Sequence, residues 1–594
     1  MTRSAWQTTG AIVSLLVLWL LIFLPTLGKL PLIRSEAMYA QIPLEMLESG
    51  DWLTPRLNGA RYLDKPPLIY WINLTAYKLG DVSDNTARWA TFMIGLGETA
   101  AILVLGTLLY NRLTGWLAAM ILLSSIGFFA LHLQMLADHL ITLTVSWSLV
   151  FVWLWRREPR PRYALGFYLC AALGVMSKSL IGLFFPLAIA GLFALLTWDT
   201  RFWRFFLNPG GLLVFTALTV PWFWVMEIQN PGFLQFHLIN EQISRFFGQR
   251  FPPDITPITV GSFWLFTLVW LMPWTPLLPV AIAAIRPKRW LRPDPAEAPG
   301  LLLLLWAGVV LLFYSLCSAR IEYYNLPALP ALALIIGWRL EGYLAQPESR
   351  SVQASLLLCA VFFLALLILP PFMEQICEDN RREFTGMFEQ IQPLVYQAIP
   401  IFTALAATLA LASWRRWPRL SLGSLGSIAL VLLYFTFQCL SVLSPHLSDA
   451  WAGKSVRQHL QDDDVLVMGN IEEFEYGMSF RYYARTRVLM VQRDGLPDFG
   501  FALTDQENFL VSPDRLMELW QGPQRIFLLM DDCAPEDYLP GATTVEARGG
   551  KRLLVNKPLL ASPPLHDSEP PLSLREELAS PPKGGSPKHD TFTR

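Results

Sequence analysis

The chain reads as a polytopic α-helical membrane protein that ends in a small α/β domain. Three observations predict this class. Hydrophobic residues make up 53% of the 594 positions and charged residues only 16%, too apolar for a soluble protein with one ordinary core. Apolar runs long enough to cross hydrocarbon recur along residues 1–444. From about Pro445 to Pro558 the composition becomes that of a soluble domain.

The apolar runs lie near residues 11–28, 89–110, 113–133, 138–155, 163–179, 180–197, 210–227, 261–285, 300–317, 325–344, 353–372, 394–413 and 424–443. At about 17 to 25 residues per crossing, they predict about thirteen spans. Ser177-Lys178-Ser179 interrupts an otherwise continuous stretch, so the boundary between the fifth and sixth spans is the weakest. The first run follows Arg3 as a secretory signal would. It is long, lacks an Ala-x-Ala site and is followed by further spans, so an uncleaved first span is expected.

Orientation follows from the Lys/Arg bias of short loops. Arg112, the cluster from Arg156 to Arg162, Arg201 with Arg204, Arg286-Pro287-Lys288-Arg289, Arg350 and Arg415-Arg416-Trp417-Pro418-Arg419 all fall on one side of successive spans. That side is the cytoplasm, and these clusters read as topology determinants rather than ligand sites. The N-terminus is then cytoplasmic, and an odd span count places the C-terminal domain outside a cell inner membrane. The 23 Trp, 37 Phe and 17 Tyr suit interfacial aromatic belts.

Three segments follow: a membrane part over 1–444 with a first external loop at 29–88, an α/β domain over 445–558, and a tail over 559–594. Strands are expected at Val465–Met468, Val488–Val491, Ile526–Leu529 and Leu553–Val555, with helices near 453–461 and 514–521. The Pro/Ser-rich tail has too little apolar content to fold alone.

A net charge of -1 gives no reason to expect a nucleic-acid partner. No P-loop or GxGxxG stands in a strand-turn-helix context, so direct use of ATP or a nucleotide sugar has no support. None of the six cysteines forms a metal spacing, and His132 and His139 have no ligand spacing either. Cys377 and Cys533 would both lie outside, which permits a disulfide on weak grounds. No organic cofactor is implied, and dependence on a divalent cation is left open.

The predicted topology gathers ionisable residues on the external side. Glu36, Asp64 and Lys65 lie in the first loop, Asp138 opens the fourth span, and Lys178 sits between the fifth and sixth. Glu241 and Arg245 follow the seventh, while Arg320, Glu322, Tyr323 and Tyr324 lie between the ninth and tenth. Cations and carboxylates beside hydrocarbon suit an amphiphile whose tail lies between helices while Lys and Arg hold its phosphate. Sugar transfer from a polyprenyl phosphate needs such a site, because charge grows on the leaving phosphate.

Several segments carry a family resemblance. The loop Glu36–Leu68 contains Ser49-Gly50-Asp51-Trp52, Leu57-Asn58-Gly59 and Leu63-Asp64-Lys65-Pro66-Pro67. Further along come Met135-Leu136-Ala137-Asp138, the stretch Phe236–Phe246, and Ser318-Ala319-Arg320 with Tyr324-Asn325-Leu326-Pro327. Together they resemble the polyprenyl-phosphate-dependent membrane glycosyltransferases of the GT-C type, the superfamily of protein O-mannosyltransferases and lipid A aminoarabinose transferases. The span count and external C-terminal domain are similar to the aminoarabinose branch. Where the family loop usually begins Asp-Glu and that branch continues to Arg-Tyr, this chain has Ser35-Glu36 and Met38-Tyr39.

The resemblance implies an inverting glycosyltransferase that moves a sugar from a polyprenyl-phosphate donor to a lipid-linked or glycan acceptor. It implies Glu36, Asp64 and Asp138 as catalytic carboxylates; with Ser35 at the usual Asp position, either the acceptor is already anionic and needs no base, or Glu36, the acidic residue left at the motif, takes over as base for a hydroxyl acceptor. Lys65, Lys178, Arg245, Arg320 and Tyr324 would bind the donor phosphate, and Tyr39 and Glu241 would orient substrate.

Each candidate also has a plainer reading. Glu36 could serve as an N-terminal charge on an interfacial helix reaching Leu47. Asp64 with Lys65 could be an exposed pair, Asp138 a helix cap, Lys178 a snorkelling side chain, and Glu241 with Arg245 a helical pair. Glu98 inside the second span reads as an interhelical hydrogen bonder. Two other classes compete. A transporter or flippase should show repeated halves and a midplane site. A scaffold would not explain acids and cations gathered on one face. Within the enzyme class, a protein O-mannosyltransferase is the alternative.

Overall fold

The computed structural model describes residues 3–33, 35–251, 257–285, 290–365, 368, 387–469, 477–491, 510–531 and 539–559. The basic cluster at 286–289, Cys377, Cys533 and the tail beyond 559 lie outside the described residues.

Each predicted apolar run is met by helix, but not every helix has the length and apolarity of a span. Eight qualify: Thr9–Thr26, Asp84–Leu109, Ala137–Arg157, Phe202–Gln229, Ala298–Leu316, Leu326–Ala345, Glu389–Trp414 and Pro418–Leu447. Two more are pairs broken by bends, Arg112–Leu123 with Ile126–His132 at 59° and Val260–Trp270 with Thr275–Ala284 at 103°. The count among the described residues is therefore eight to ten, where thirteen were expected. The excess comes from helices Pro161–Lys178, Ile181–Thr197 and Arg350–Ala365. The last two have only 17 and 16 described residues, and the first carries Arg162 and Lys178 near its ends, so none has both the length and the apolarity of a straight crossing.

The first two of these make a tight hairpin. A Cβ added at Gly182 would fall 2.0 Å from the Gly174 carbonyl carbon, so only glycine lets the two helices approach this closely. Ser179 turns the chain between them at φ 61°, and Lys178 is thereby held at the hairpin's tip.

The first loop is built rather than loose. Ser35–Ser49 forms a helix, and β1 (Arg56–Leu57) pairs antiparallel with β2 (Ala60–Arg61) across Asn58-Gly59. Those two residues have φ of 54° and 86°, the positive pair a two-residue hairpin turn requires. Glu45 fixes the turn by accepting from the backbone N–H of Asn58 at 2.7 Å and Gly59 at 2.9 Å. The expected interfacial helix is instead buried from Glu36 to Met46, because it lies beneath the C-terminal domain and beside the Leu68–Leu79 helix.

That domain carries a mixed six-stranded sheet of order β5-β4-β3-β6-β8-β7. The strands are β3 (Val465–Met468), β4 (Val488–Val491), β5 (Leu510–Val511), β6 (Ile526–Asp531), β7 (Thr543–Arg548) and β8 (Lys551–Val555). β3 pairs parallel with β4 and β6, β4 pairs parallel with β5, and β8 runs antiparallel to both β6 and β7. The four expected strands are present, joined by β5 and β7 and by a helix at Met478–Ala484. Buried Val/Ile/Leu runs such as Ile526–Leu529 mark central strands, whereas β7, as Thr-Thr-Val-Glu-Ala-Arg, alternates too weakly to stand out.

The domain docks on the first loop. Asn58 Nδ2 donates to the Val488 carbonyl at 2.6 Å, the Leu32 N–H donates to the Tyr483 hydroxyl at 2.8 Å, and that hydroxyl donates to Asp84 at 2.7 Å. Loop and domain therefore share one side of the molecule.

Candidate active site

The helix hairpin, the first loop and the segment after the Pro209–Gln229 helix enclose a cavity of about 380 Å³. Its polar wall includes Ser35, Tyr39, Asp64, Lys65, Asp138, Lys178, Glu241, Arg245 and Tyr324. Its apolar wall includes Leu180, Ile181, Phe184, Phe246, Phe247 and Phe313. Asp64, Lys65, Asp138, Lys178, Glu241, Arg245, Tyr39 and Tyr324, distant in sequence, thus come together.

Lys65 follows the buried Leu63 and Asp64 in the turn that leads, through Pro66-Pro67, into the Leu68–Leu79 helix. Its Nζ donates to the Tyr62 hydroxyl at 3.2 Å and lies 5.5 Å from the Tyr39 ring centre. Across the cavity, Lys178 Nζ donates to both carboxylate oxygens of Asp138 at 2.6 and 2.7 Å and sits 4.1 Å from the Tyr324 ring centre. Asp138 is thus committed to an ion pair from the first turn of its helix.

A third cluster forms on the Phe236–Ser244 helix, whose wide i→i+5 winding is of a kind often found at functional sites. Glu241 accepts from Arg245 at 3.2 Å and from Arg250 Nε at 2.6 Å, and Arg250 also reaches Asp64 at 3.1 Å. Burial and the Asp64 charge raise the Glu241 carboxyl above its ordinary range, with Arg245 and Arg250 opposing. Burial opposes the Arg250 charge, but Asp64 and Glu241 outweigh it and lift the guanidinium above its ordinary value. Four cations, Lys65, Lys178, Arg245 and Arg250, therefore serve three carboxylates, Asp64, Asp138 and Glu241. With all of them ionised, the excess positive charge suits an anion.

Two expected site residues lie elsewhere. Glu36 is fully buried outside the cavity lining, where Arg88 Nε and Nη2 each donate to its carboxylate at 2.7 Å. The backbone N–H groups of Ile33 and Met135 donate to it at 3.1 and 3.3 Å. Four donors thus occupy the hydrogen-bonding positions of this carboxylate. Burial raises its pKa while Arg88 pulls it down. Its neighbours Ser35 and Met38 line the cavity instead. Arg320 donates to the backbone carbonyls of Tyr314 at 3.2 Å and Ile258 at 3.0 Å, tacking two loops together outside the lining.

Three residues that the sequence reading passed over matter here. Arg88, near the start of the Asp84–Leu109 helix, lies on the side the sequence analysis expects to be external, against the cytoplasmic bias of basic residues, and that was its available signal. Arg250 follows the motif stretch without any spacing that marks it. His237, stacked 5.2 Å from Phe233, has its Nδ1 3.2 Å from the Leu63 carbonyl and so supports the turn that carries Asp64 and Lys65. Burial lowers its pKa to about 4.

A family model described as dolichyl-phosphate-mannose-protein mannosyltransferase matches residues 11–237. An undecaprenyl phosphate-alpha-4-amino-4-deoxy-L-arabinose arabinosyl transferase of Serratia proteamaculans (strain 568) is 26% identical over 379 residues, 61% of this chain and 66% of that protein. The match thus spans a little under two thirds of the Serratia protein. The protein of the same name from Pseudomonas paraeruginosa (strain DSM 24068 / PA7) is 29% identical over 499 residues, 77% of this chain and 84% of its own. Among solved structures, ArnT from Cupriavidus metallidurans bound to undecaprenyl phosphate has the same fold, with a TM-score of 0.77 at 21% identity over 95% of this chain and 100% of that one. The chain is a multi-pass membrane protein with the fold of ArnT, similar in sequence to the aminoarabinose transferases and, over residues 11–237, to the protein mannosyltransferase family.

Proposed function

We propose that the chain transfers a sugar from a polyprenyl-phosphate donor to a lipid-linked acceptor at the extracytoplasmic face of an inner membrane. The observation that carries this reading is the cavity's division into a cation-rich wall and an apolar wall. A lipid phosphate presents the matching halves. Lys65 and Arg245 hold the donor phosphate, and Lys178, oriented by Asp138, stabilises the charge that grows as the anomeric bond breaks.

The relatives named as aminoarabinose transferases favour 4-amino-4-deoxy-L-arabinose on undecaprenyl phosphate as donor and a lipid A phosphate as acceptor. Chemistry at the first loop supports the same choice. An acceptor phosphate is already anionic, so one of its oxygens attacks the anomeric carbon with no base, while the bonding pair leaves with the donor phosphate and the configuration inverts. A hydroxyl acceptor benefits from a base that removes its proton. Here Ser35 lines the cavity and Glu36 is bound to Arg88. The name of the matching family model favours a second reading, a protein mannosyltransferase acting on Ser or Thr. Asp64, on the cavity wall, would then be the base.

The test supplies membranes with sugar-labelled undecaprenyl-phosphate aminoarabinose and offers lipid A and a Ser/Thr-rich peptide together. Label on lipid A supports the proposal, and label mainly on peptide overturns its acceptor.

A further inference from the structure

Three ionisable side chains meet inside the helical bundle, away from the cavity lining. Glu98 comes from the Asp84–Leu109 helix, His132 ends the Ile126–His132 helix, and His139 lies in the first turn of the Ala137–Arg157 helix. They are 0%, 4% and 0% exposed, and each offers a ligand atom within 4.8 Å of the other two.

The backbone fixes which nitrogens face inward. His132 Nδ1 lies 2.7 Å from the Phe128 carbonyl, and His139 Nε2 lies 3.0 Å from the Leu131 carbonyl and 3.2 Å from that of Gln134. A carbonyl only accepts, so those nitrogens carry the protons, and His132 Nε2 and His139 Nδ1 keep their lone pairs. Neither lone-pair nitrogen, and neither Glu98 oxygen, has a hydrogen-bond partner among the described residues. His132 Nε2 and Glu98 Oε2 stand 3.6 Å apart. The helix also makes room for this arrangement: a Cβ at Gly95, one turn before Glu98, would fall 2.6 Å from His132 Cδ2 and 2.9 Å from Nε2.

We propose that Glu98, His132 and His139 form a buried divalent-metal site of the zinc type. Two imidazole nitrogens and one carboxylate oxygen suit Zn²⁺, whereas Mg²⁺ and Ca²⁺ favour oxygen-rich sites. Each histidine donates its other N–H to backbone carbonyl, the outer support that metal-bound imidazoles usually have. A cation also answers the cost of a carboxylate buried without a partner. The sequence spacing, 34 residues from Glu98 to His132 and seven more to His139, hides the site, because bends in the chain assemble it. A bound ion would join the Asp84–Leu109 helix to the start of the Ala137–Arg157 helix, where Asp138 precedes His139. The competing arrangement is a neutral Glu98 carboxylic acid donating to His132 Nε2.

The full chain, purified in detergent and stripped with chelator, is dialysed against Zn²⁺ with a weak competing chelator, and zinc per chain is counted by mass spectrometry. About one tightly held ion is expected. Glu98→Gln, and His132→Asn with His139→Asn, should weaken binding by more than about 100-fold, the upper range for losing only an outer partner of a ligand. X-ray absorption at the zinc edge should show two imidazole nitrogens at about 2.0–2.1 Å. That spectrum, measured on the unaltered chain, decides the matter even where a variant fails to fold. No stoichiometric zinc, equal zinc in the variants, or a spectrum without imidazole ligands overturns the site.

Discussion

Lys178 Nζ lies 2.6 and 2.7 Å from the two carboxylate oxygens of Asp138, so the hairpin tip and the head of the Ala137–Arg157 helix are joined at the cavity wall by one ion pair. Both side chains are largely buried, 12% and 4% exposed. Removing one partner strands a charge, which costs about 3–5 kcal/mol, whereas replacing both with neutral groups is often close to neutral. Asp138→Asn or Lys178→Met alone should lower the melting temperature in detergent, and the double variant should recover most of it. Turnover should stay low in all three. Full turnover in the double variant would mean the pair serves packing alone.

Glu36 makes the opposite case. With Arg88 on both of its oxygens, Glu36→Gln should destabilise the chain by about 3–5 kcal/mol. The fraction that folds should keep its rate constant and the acidic limb of its pH profile. A loss of about 100-fold or more in well-folded protein, with that limb gone, would make Glu36 the base after all.

His237 sets a pH dependence whose sign follows from its buried, neutral imidazole. Its folded pKa, lowered to about 4, lies below the ordinary 6.5, so between these values the unfolded chain binds more protons. Stability should therefore fall as pH drops through that window, by up to about 1.4 kcal/mol per unit. Melting curves from pH 7 to 4 should show a shallower fall for His237→Gln than for the unaltered chain. Parallel curves would contradict this assignment.

The C-terminal domain is expected outside the membrane. Ser512, at the start of the exposed end of helix Pro513–Gln521, is exposed. A cysteine placed there should react with an impermeant thiol reagent in intact spheroplasts. Reaction only after the membrane is broken would place the domain, and with it the first loop and the cavity, on the cytoplasmic side.

Much of the cavity was legible because its residues break local rules. Lys178 interrupts an apolar stretch, Asp138 opens a span, and Asp64-Lys65 stands before Pro-Pro, each a polar group where hydrocarbon or rigid backbone was due. The partners were not legible. Arg250 meets Asp64 across 186 residues, and Arg88 meets Glu36 across 52, distances that only the fold closes. Glu36's motif position was legible but its surroundings were not: a one-residue step along the helix turns Ser35 to the cavity and Glu36 to Arg88. The span count among the described residues is lower than expected because apolar runs such as Ile181–Thr197, at 17 residues, fall short of a full-length crossing.

The central claim is that the cavity's cations hold and discharge a lipid-phosphate sugar donor, and Lys65 tests it most directly. Unaltered protein and Lys65→Ala, each reconstituted in liposomes at equal folded amounts, are given labelled undecaprenyl-phosphate aminoarabinose and lipid A. The account predicts that the variant transfers sugar at least about 100-fold more slowly, the scale of losing one preorganised charge-stabilising contact. Transfer at a near-normal rate by the variant would contradict it.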